Sequence, residues 1–353
     1  MWKAVATALP WSISGFKGSK RMDLMGFFLA IVLGFVPMFF LAGIMYWLDR
    51  YEKEPGPLLL GSFAWGAIIA VIGALVLQLA AGQVMLAITG SELLEEIAGS
   101  SLFAPITEEI LKGMAVLLIF LFFRKEFDSI LDGIVYASIT ALGFAATEDA
   151  LYYFGAYIED GFGGMMVLFF LRFVIFGWQH AFFTSFIGIG LAITRQSRDR
   201  LVKIVAPFIG LALAIFAHSL HNSILTLFPD LAGLAVAVGV AWFGWLAMFI
   251  FIVWMVVREK QWLAEHLREE VNLGVITQQQ YDAACSLFGQ TQARFAALAR
   301  RRYRATVRFF QLCGELSHKK RQYATHGDES GNEAIIASLR SQLSQLSASL
   351  QHG

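Results

Sequence analysis

The chain has 353 residues, of which 57% are hydrophobic and 15% charged, with 32 phenylalanines and formal charges that cancel. That balance excludes a soluble globular enzyme and describes a polytopic membrane protein, for which no nucleic acid partner is expected. Both cysteines, Cys285 and Cys313, lie in the polar C-terminal part, so no disulfide framework is implied and a reducing compartment is acceptable.

Residues 1–24 form an N-terminal segment. The apolar block after Lys20-Arg21 runs for about twenty-three residues without a small-residue cleavage site, so it reads as a span and not as a signal peptide. A span needs roughly 20 apolar residues, which predicts about seven: 25–48, 58–87, 105–123, 130–157, 165–193, 203–227 and 232–257. The connections are short, including Asp49 to Pro55, Arg124 to Ser129, Glu159 to Gly164 and Phe228-Pro229-Asp230, and short loops join antiparallel neighbours. The expected fold is all-α, a membrane helix bundle over 25–257 followed by a soluble, mostly helical tail over 258–353.

Basic residues set the orientation. Arg124, Lys125, Arg195, Arg198, Arg200, Lys203, Arg258 and Lys260 share one face, while 159–164 and 228–230 carry no Lys or Arg. The tail is therefore expected in the cytoplasm. Seven spans then put Lys3, Lys17, Lys20 and Arg21 on the disfavoured side, a conflict that a further half-inserted segment, or residues 1–15 lying in the interface, would relieve.

Glu108-Glu109-x-x-Lys112 interrupts the apolar stretch Leu102 to Phe123. A charge near mid-span costs at least ~2.5–3.5 kcal/mol on insertion scales, so the default reading is a functional site. Glu148 and Asp149, His180, and His218 fall on the next three spans, and at ~1.5 Å per residue all share one band within about 15–20 Å of the outer surface. Lys112 lies three and four residues after the glutamates, on their helical face. It would keep one carboxylate ionised, while burial and the neighbouring like charge raise the pKa of the other. Carboxylates can activate water as general bases, and His or Asn donors can stabilise an oxyanion, so peptide hydrolysis is within reach of this set. The bland alternatives are interface carboxylates, a snorkelling lysine and interhelical hydrogen bonds. His221 and Asp149 read as structural, Arg172 as an interface or helix-end contact, and glycines such as Gly143, Gly177, Gly188 and Gly190 as close-packing positions.

The ordered motifs Asp49 to Pro55, Ala104 to Lys112, Asp132-Gly133-Ile134-Val135-Tyr136, Gly143 to Tyr152, His180 to Thr184 and His218 to Asn222 resemble those of the PrsW-type intramembrane proteases. These belong with the glutamate-dependent membrane endopeptidases that include the CAAX prenyl-protein proteases. The resemblance covers most of the membrane body and none of the tail. It matches the family's motif residues to Glu108, Glu109, Lys112, Glu148, His180 and His218, with Asn222 one turn after His218. The mechanism expected of this set has Glu108 or Glu109 activating a water, Lys112 setting the ionisation of the pair, Glu148 and His180 positioning that water or sharing its proton, and His218 with Asn222 donating to the oxyanion. The resemblance departs at one place, since the family's second motif usually reads Glu-Asn and here Asp149 follows Glu148. The implied substrate is a membrane-anchored protein in a bacterial plasma membrane, cut near its outer end, such as an anti-sigma factor.

Two histidines and a glutamate could also hold zinc, but no H-E-x-x-H or other short ligand spacing is present. The expectation is a metal-independent mechanism with no cofactor, zinc being the alternative. An ion- or proton-coupled transporter would use the same buried charges as a relay, although no inverted repeat or paired broken helices are evident. A non-catalytic peptide-binding scaffold is the third class.

In the tail, Gln261 to Asn272 reads as helix, Gly274 as a stop, and Thr277 as the cap of a helix beginning at Gln278. Arg294, Arg300, Arg301, Arg302, Arg304 and Arg308 form a basic run, either a solvated face or a contact with anionic lipid heads. Gly327 to Glu333 reads as a hinge. Leu339, Leu343, Leu346 and Leu350 have near-heptad spacing and suggest self-association.

Overall fold

The computed structural model describes residues 20–351 apart from 50, 52, 287, 300, 329 and 330. Most of the expected N-terminal segment, Lys3 and Lys17 included, lies outside the described residues, as do Arg50, Glu52 and Arg300. Among the described residues there are helices and no strands, so the protein is an all-α membrane helical protein. Helix α1 is Lys20–Leu48. Helix α2 runs from Gly56 to Thr89 through a π-helical turn at Trp65–Ala70, with Pro55 and Pro57 at its start, where a missing N–H costs nothing.

After Gly90, which ends α2 at φ 65°, the short helix α3 spans Glu92–Ala98 and is capped by Ser91 Oγ, which accepts from Leu94 N. A π-helical turn at Gly99–Phe103 leads into α4, Ala104–Phe122. Helix α5 is Ile130–Phe169. Its start is fixed by a reciprocal capping box: Ser129 Oγ accepts from Asp132 N, and the Asp132 carboxylate accepts from Ser129 N. Asp132 is thus a cap, worth about 1 kcal/mol, and not a catalytic acid. Helices α6 (Gln179–Gln196), α7 (Arg200–Leu227) and α8 (Leu231–Asn272) complete the apolar part.

Among the described residues, five stretches are long and apolar enough to cross a bilayer: Leu24–Leu48, Gly56–Thr89, Ile130–Gln196, Arg200–Leu227 and Leu231–Asn272. The sequence count of seven adds α4, which Glu108, Glu109 and Lys112 make too charged for that tally, and divides 130–196 in two. That division differs from expectation in one way. The anticipated span 165–193 is interrupted by a π-helical turn at Phe170–Ile175 and a turn at 176–178, so His180 sits in the first turn of α6 and not at mid-helix. Gly161, at φ 68° and ψ −160°, breaks α5 before it.

Helix α5 is the central pillar, with every residue from 131 to 146 buried, as expected of a helix apolar on all sides. Two glycine contacts let its neighbours approach. A Cβ on Gly66 of α2 would fall 1.9 Å from Thr140 O, and one on Gly143 would fall 2.0 Å from Phe63 O. Gly133 and Gly188 make the equivalent contact between α5 and α6. The resemblance motifs meet here too, because Tyr136 donates its hydroxyl proton to the buried Glu54 carboxylate.

The chain divides into two compact units. One comprises the chain up to Tyr46 together with Glu54–Ile250; the other comprises Trp47–Lys53 and Phe251–Gly353. The second holds α9 (Gln278–Ala284), α10 (Gly289–Ala299), α11 (Tyr303–His326) and α12 (Asn332–Gln351). Thr277 caps α9 as expected, in a capping box with Gln280. Buried Glu270 accepts from Lys320 at 2.9 Å and from Arg340 at 2.7 Å, tying α11 and α12 to the end of α8. Leu339 and Leu343, half of the stripe assigned to self-association, are buried within this unit, where α12 packs on α11. A leucine repeat marks a buried seam but not whose surface covers it.

Candidate functional site

Helical spacing alone brings Lys112 to its glutamates. Its Nζ is 2.5 Å from Glu109 Oε1 and 3.9 Å from Glu108 Oε2, and all three side chains are buried. The ammonium also lies 4.7 Å from the Phe144 ring centroid, a cation–π contact with the residue one turn before Glu148.

The two adjacent carboxylates differ in environment. Glu109 is saturated: Oε1 takes Lys112 and His218 Nδ1, the latter at 2.9 Å, and Oε2 accepts from Thr184 Oγ1 at 2.8 Å. Glu108 Oε1 accepts from Gln78 Nε2 at 3.1 Å, but its buried Oε2 has no hydrogen-bond partner among the described residues. That oxygen faces His218 Nε2 at 3.8 Å. An ionised carboxylate can only accept, so His218 Nδ1 carries the proton in its bond to Glu109 and Nε2 presents a lone pair. Two acceptors therefore face each other across 3.8 Å.

A second pair sits on α5. His180 Nε2 is 3.0 Å from Glu148 Oε2, while its Nδ1 lies 3.4 Å from Lys112 Nζ. Since the ammonium can only donate, His180 carries its proton on Nε2 and gives it to Glu148. Arg172, on the π-helical turn, reaches Glu148 Oε2 with a terminal nitrogen at 2.7 Å and bonds Asp149 Oδ1 through Nε. Its guanidinium stacks 4.1 Å over Tyr152, and Tyr153 OH donates to Asp149 at 3.2 Å. The imidazoles of His180 and His218 are 5.3 Å apart, and Phe183 stacks on His218.

A cavity of about 710 Å³ reaches this cluster, with Glu148, His180, His218 and Asn222 on its wall among Leu168, Leu171, Phe176, Leu225 and other apolar side chains. A second cavity of about 30 Å³ is lined by Gln78, Glu108, Glu148 and Tyr152. A water needs roughly 10–15 Å³ by this measure, so the small cavity is of water size.

Of the residues singled out from the sequence, Glu108, Glu109, Lys112, Glu148, His180 and His218 come together. Asn222 does not join them, because its amide donates to Ser100 O at 3.0 Å, although it lines the large cavity. His221 lies beside Gln179 and Phe176. Asp149, read as structural, and Arg172, read as an interface or helix-end contact, form the ion pair that reaches Glu148. Sequence spacing does not single out Gln78 or Thr184, although Gln78 is an amide in an apolar span and Thr184 stands one turn after His180, at the end of the His180 to Thr184 motif.

The profile of the PrsW family intramembrane metalloproteases matches residues 54–256. The chain belongs to this family. It is thus an integral membrane protein and an intramembrane protease, whose substrates are membrane-anchored proteins. No curated protein and no solved structure matches the chain.

The family's description implies a metal, and the residues fit one. Glu108, His180 and His218 bring ligand atoms within 4.8 Å of one another. The unpartnered Glu108 Oε2 and the lone pair of His218 supply two donors. Each imidazole bonds a carboxylate through its other nitrogen, the arrangement that orients metal-binding histidines. The ligands come from α4, α6 and α7, so no short sequence motif could announce them.

Proposed function

We propose that the membrane unit hydrolyses a peptide bond of a membrane-anchored protein by activating a water at Glu108. The carrying observation is the buried, unpartnered Oε2 of Glu108 opposite His218 Nε2. A water between these two acceptors could donate one proton to each, which orients its oxygen for attack. Glu109 is the positioning member of the pair, since its bonds to Lys112, Thr184 and His218 leave neither oxygen free. Lys112 keeps that carboxylate charged. Glu148 and His180 form the opposite wall, where His180 hands protons between the water and the departing amine. Asn222 from the cavity wall, after release from Ser100 O, is a donor for the oxyanion, and His218 joins it once Nε2 has taken a proton from the attacking water.

The apolar wall of the large cavity suits a transmembrane segment, which must unwind there because a helix hides its carbonyls in backbone hydrogen bonds. Small or helix-breaking residues near the cut are expected. An anti-sigma factor in a bacterial plasma membrane is the substrate class that the motif resemblance favours, and the basic loops favour a cytoplasmic tail.

The Glu108, His180, His218 cluster favours a second, metal-assisted form of the same reaction. Those three side chains would hold the ion, and a bound divalent metal supplies a more acidic water and Lewis-acid polarisation of the carbonyl. Glu109 and Glu148 would then fix the two imidazole rings through the bonds already described.

The test is cleavage of a panel of tagged single-span proteins in membranes by wild type and Glu108→Gln at equal expression. Loss of cleavage in the folded variant supports the reading, and robust cleavage by it overturns the role of Glu108. Activity that survives strong chelators selects the direct mechanism; loss restored by zinc selects the metal-assisted one.

A further inference from the structure

The tail carries a basic surface that the protease reading does not use. From Gly289 to Gly314 the sequence has six arginines and no aspartate or glutamate. Within it α10 leaves Phe295 and Leu298 exposed at 68% and 53%, three residues apart on one face. The turn into α11 exposes Arg301, which adopts φ 54°, and is followed by exposed Tyr303 and Arg304. A non-glycine residue in the left-handed region is uncommon enough to ask what the turn is for.

The tail unit begins at a headgroup boundary. The apolar part of α8 ends at Val257, and Arg258 lies between the Trp254 and Trp262 rings, 5.1 Å from each, as at a membrane interface. An anionic leaflet is therefore the polyanion that the chain itself holds close to its acid-free arginine segment.

We propose that Arg301 and Arg304, with Phe295 and Leu298, form a docking surface for anionic phospholipid headgroups of the leaflet from which α8 emerges. The arginines supply charge complementarity with no acid in the segment to oppose it. The two apolar side chains enter the headgroup boundary, as in interfacial amphipathic helices. Arg302 and Arg308 contribute less, being turned to Ser349 O and Glu315.

The experiment is hydrogen exchange of the full chain in nanodiscs of phosphatidylcholine alone or mixed with phosphatidylglycerol. An arginine near an anionic surface is worth about fivefold in occupancy. Amides of 295–304 should therefore exchange about tenfold more slowly in the anionic discs, or slower still. Arg301→Gln with Arg304→Gln should abolish the difference, and the paired lysine replacements should keep it. Equal exchange of wild type in both discs overturns the proposal. So does equal slowing by a soluble polyanion such as RNA in phosphatidylcholine discs. Should the glutamine variant lose protection throughout α11, the lysine variant and the wild-type comparison still decide.

Discussion

His218 gives its Nδ1 proton to Glu109 at 2.9 Å and thereby turns an unprotonated Nε2 toward Glu108. One imidazole thus separates two neighbouring carboxylates into a held one and an available one. Because Lys112 and Thr184 close the remaining positions on Glu109, replacement of the two glutamates should fail in different ways.

Glu108→Gln should fold, since the amide keeps the Gln78 contact and no cation depends on Glu108 alone. Its cleavage rate should fall by about 10²–10⁴-fold, the usual contribution of a positioned base. Glu109→Gln should instead leave the fully buried Lys112 without its closest counter-charge, at a cost on the order of 3–5 kcal/mol. Thermal melting in detergent, run beside the cleavage assay, separates the two outcomes. Equal melting temperatures for both variants would contradict this division of labour.

Arg172 and Asp149 should behave as a unit. Asp149 is buried and its carboxylate is bonded by Arg172 Nε, so Arg172→Gln strands a buried charge, again at about 3–5 kcal/mol. Asp149→Asn alone leaves Arg172 on Glu148 and restores the family's usual amide, and should cost about 1 kcal/mol. The double variant should recover part of the loss from Arg172→Gln, since the stranded charge is gone. Additive losses in a double-mutant cycle of melting temperature and cleavage rate would show that the pair is not coupled.

What the sequence made legible follows from what each signal measures. Charges at one depth on successive apolar helices disclosed Glu108, Glu109, Lys112, Glu148, His180 and His218, because burying an uncompensated charge is costly and depth can be counted in residues. Side-chain direction cannot be counted that way. Arg172 looked like a helix-end residue because the π-helical turn at Phe170–Ile175 and the break before Gln179 leave no mark in an unbroken apolar run. Asn222 shares the face of His218 by spacing, yet the Ser100 carbonyl, brought alongside by another π-helical turn, takes its amide. The departure at Asp149 was visible, but the partner that offsets its charge lies 23 residues away in sequence.

Gly143→Ala should test the seating of α5. The added methyl would lie 2.0 Å from Phe63 O, a backbone atom that cannot swing aside. Helices α2 and α5 must then separate, at about 1–3 kcal/mol or more. Gln78 would move off Glu108 with α2. The variant should therefore melt lower and also lose activity beyond its loss of folded protein. A specific activity per folded molecule equal to wild type would show that α2 does not position Glu108.

The cysteines give the tail a pH limit on the alkaline side. Burial pushes the Cys285 thiol up to about 11 from its ordinary 9, and burial raises Cys313 as well. A group whose acid form the fold prefers contributes stability that is full below its unfolded value and is lost as pH rises toward the folded one. The tail should therefore weaken between about pH 9 and 11, while neutral pH leaves both thiols protonated and slow toward maleimide. Labelling of the full chain at neutral pH should require heating through the tail transition. Replacing Cys285 with Ala and Cys313 with Ser should flatten the alkaline fall in melting temperature. Rapid labelling of both thiols in the cold, folded protein would show that the α8 to α12 packing around them is not closed.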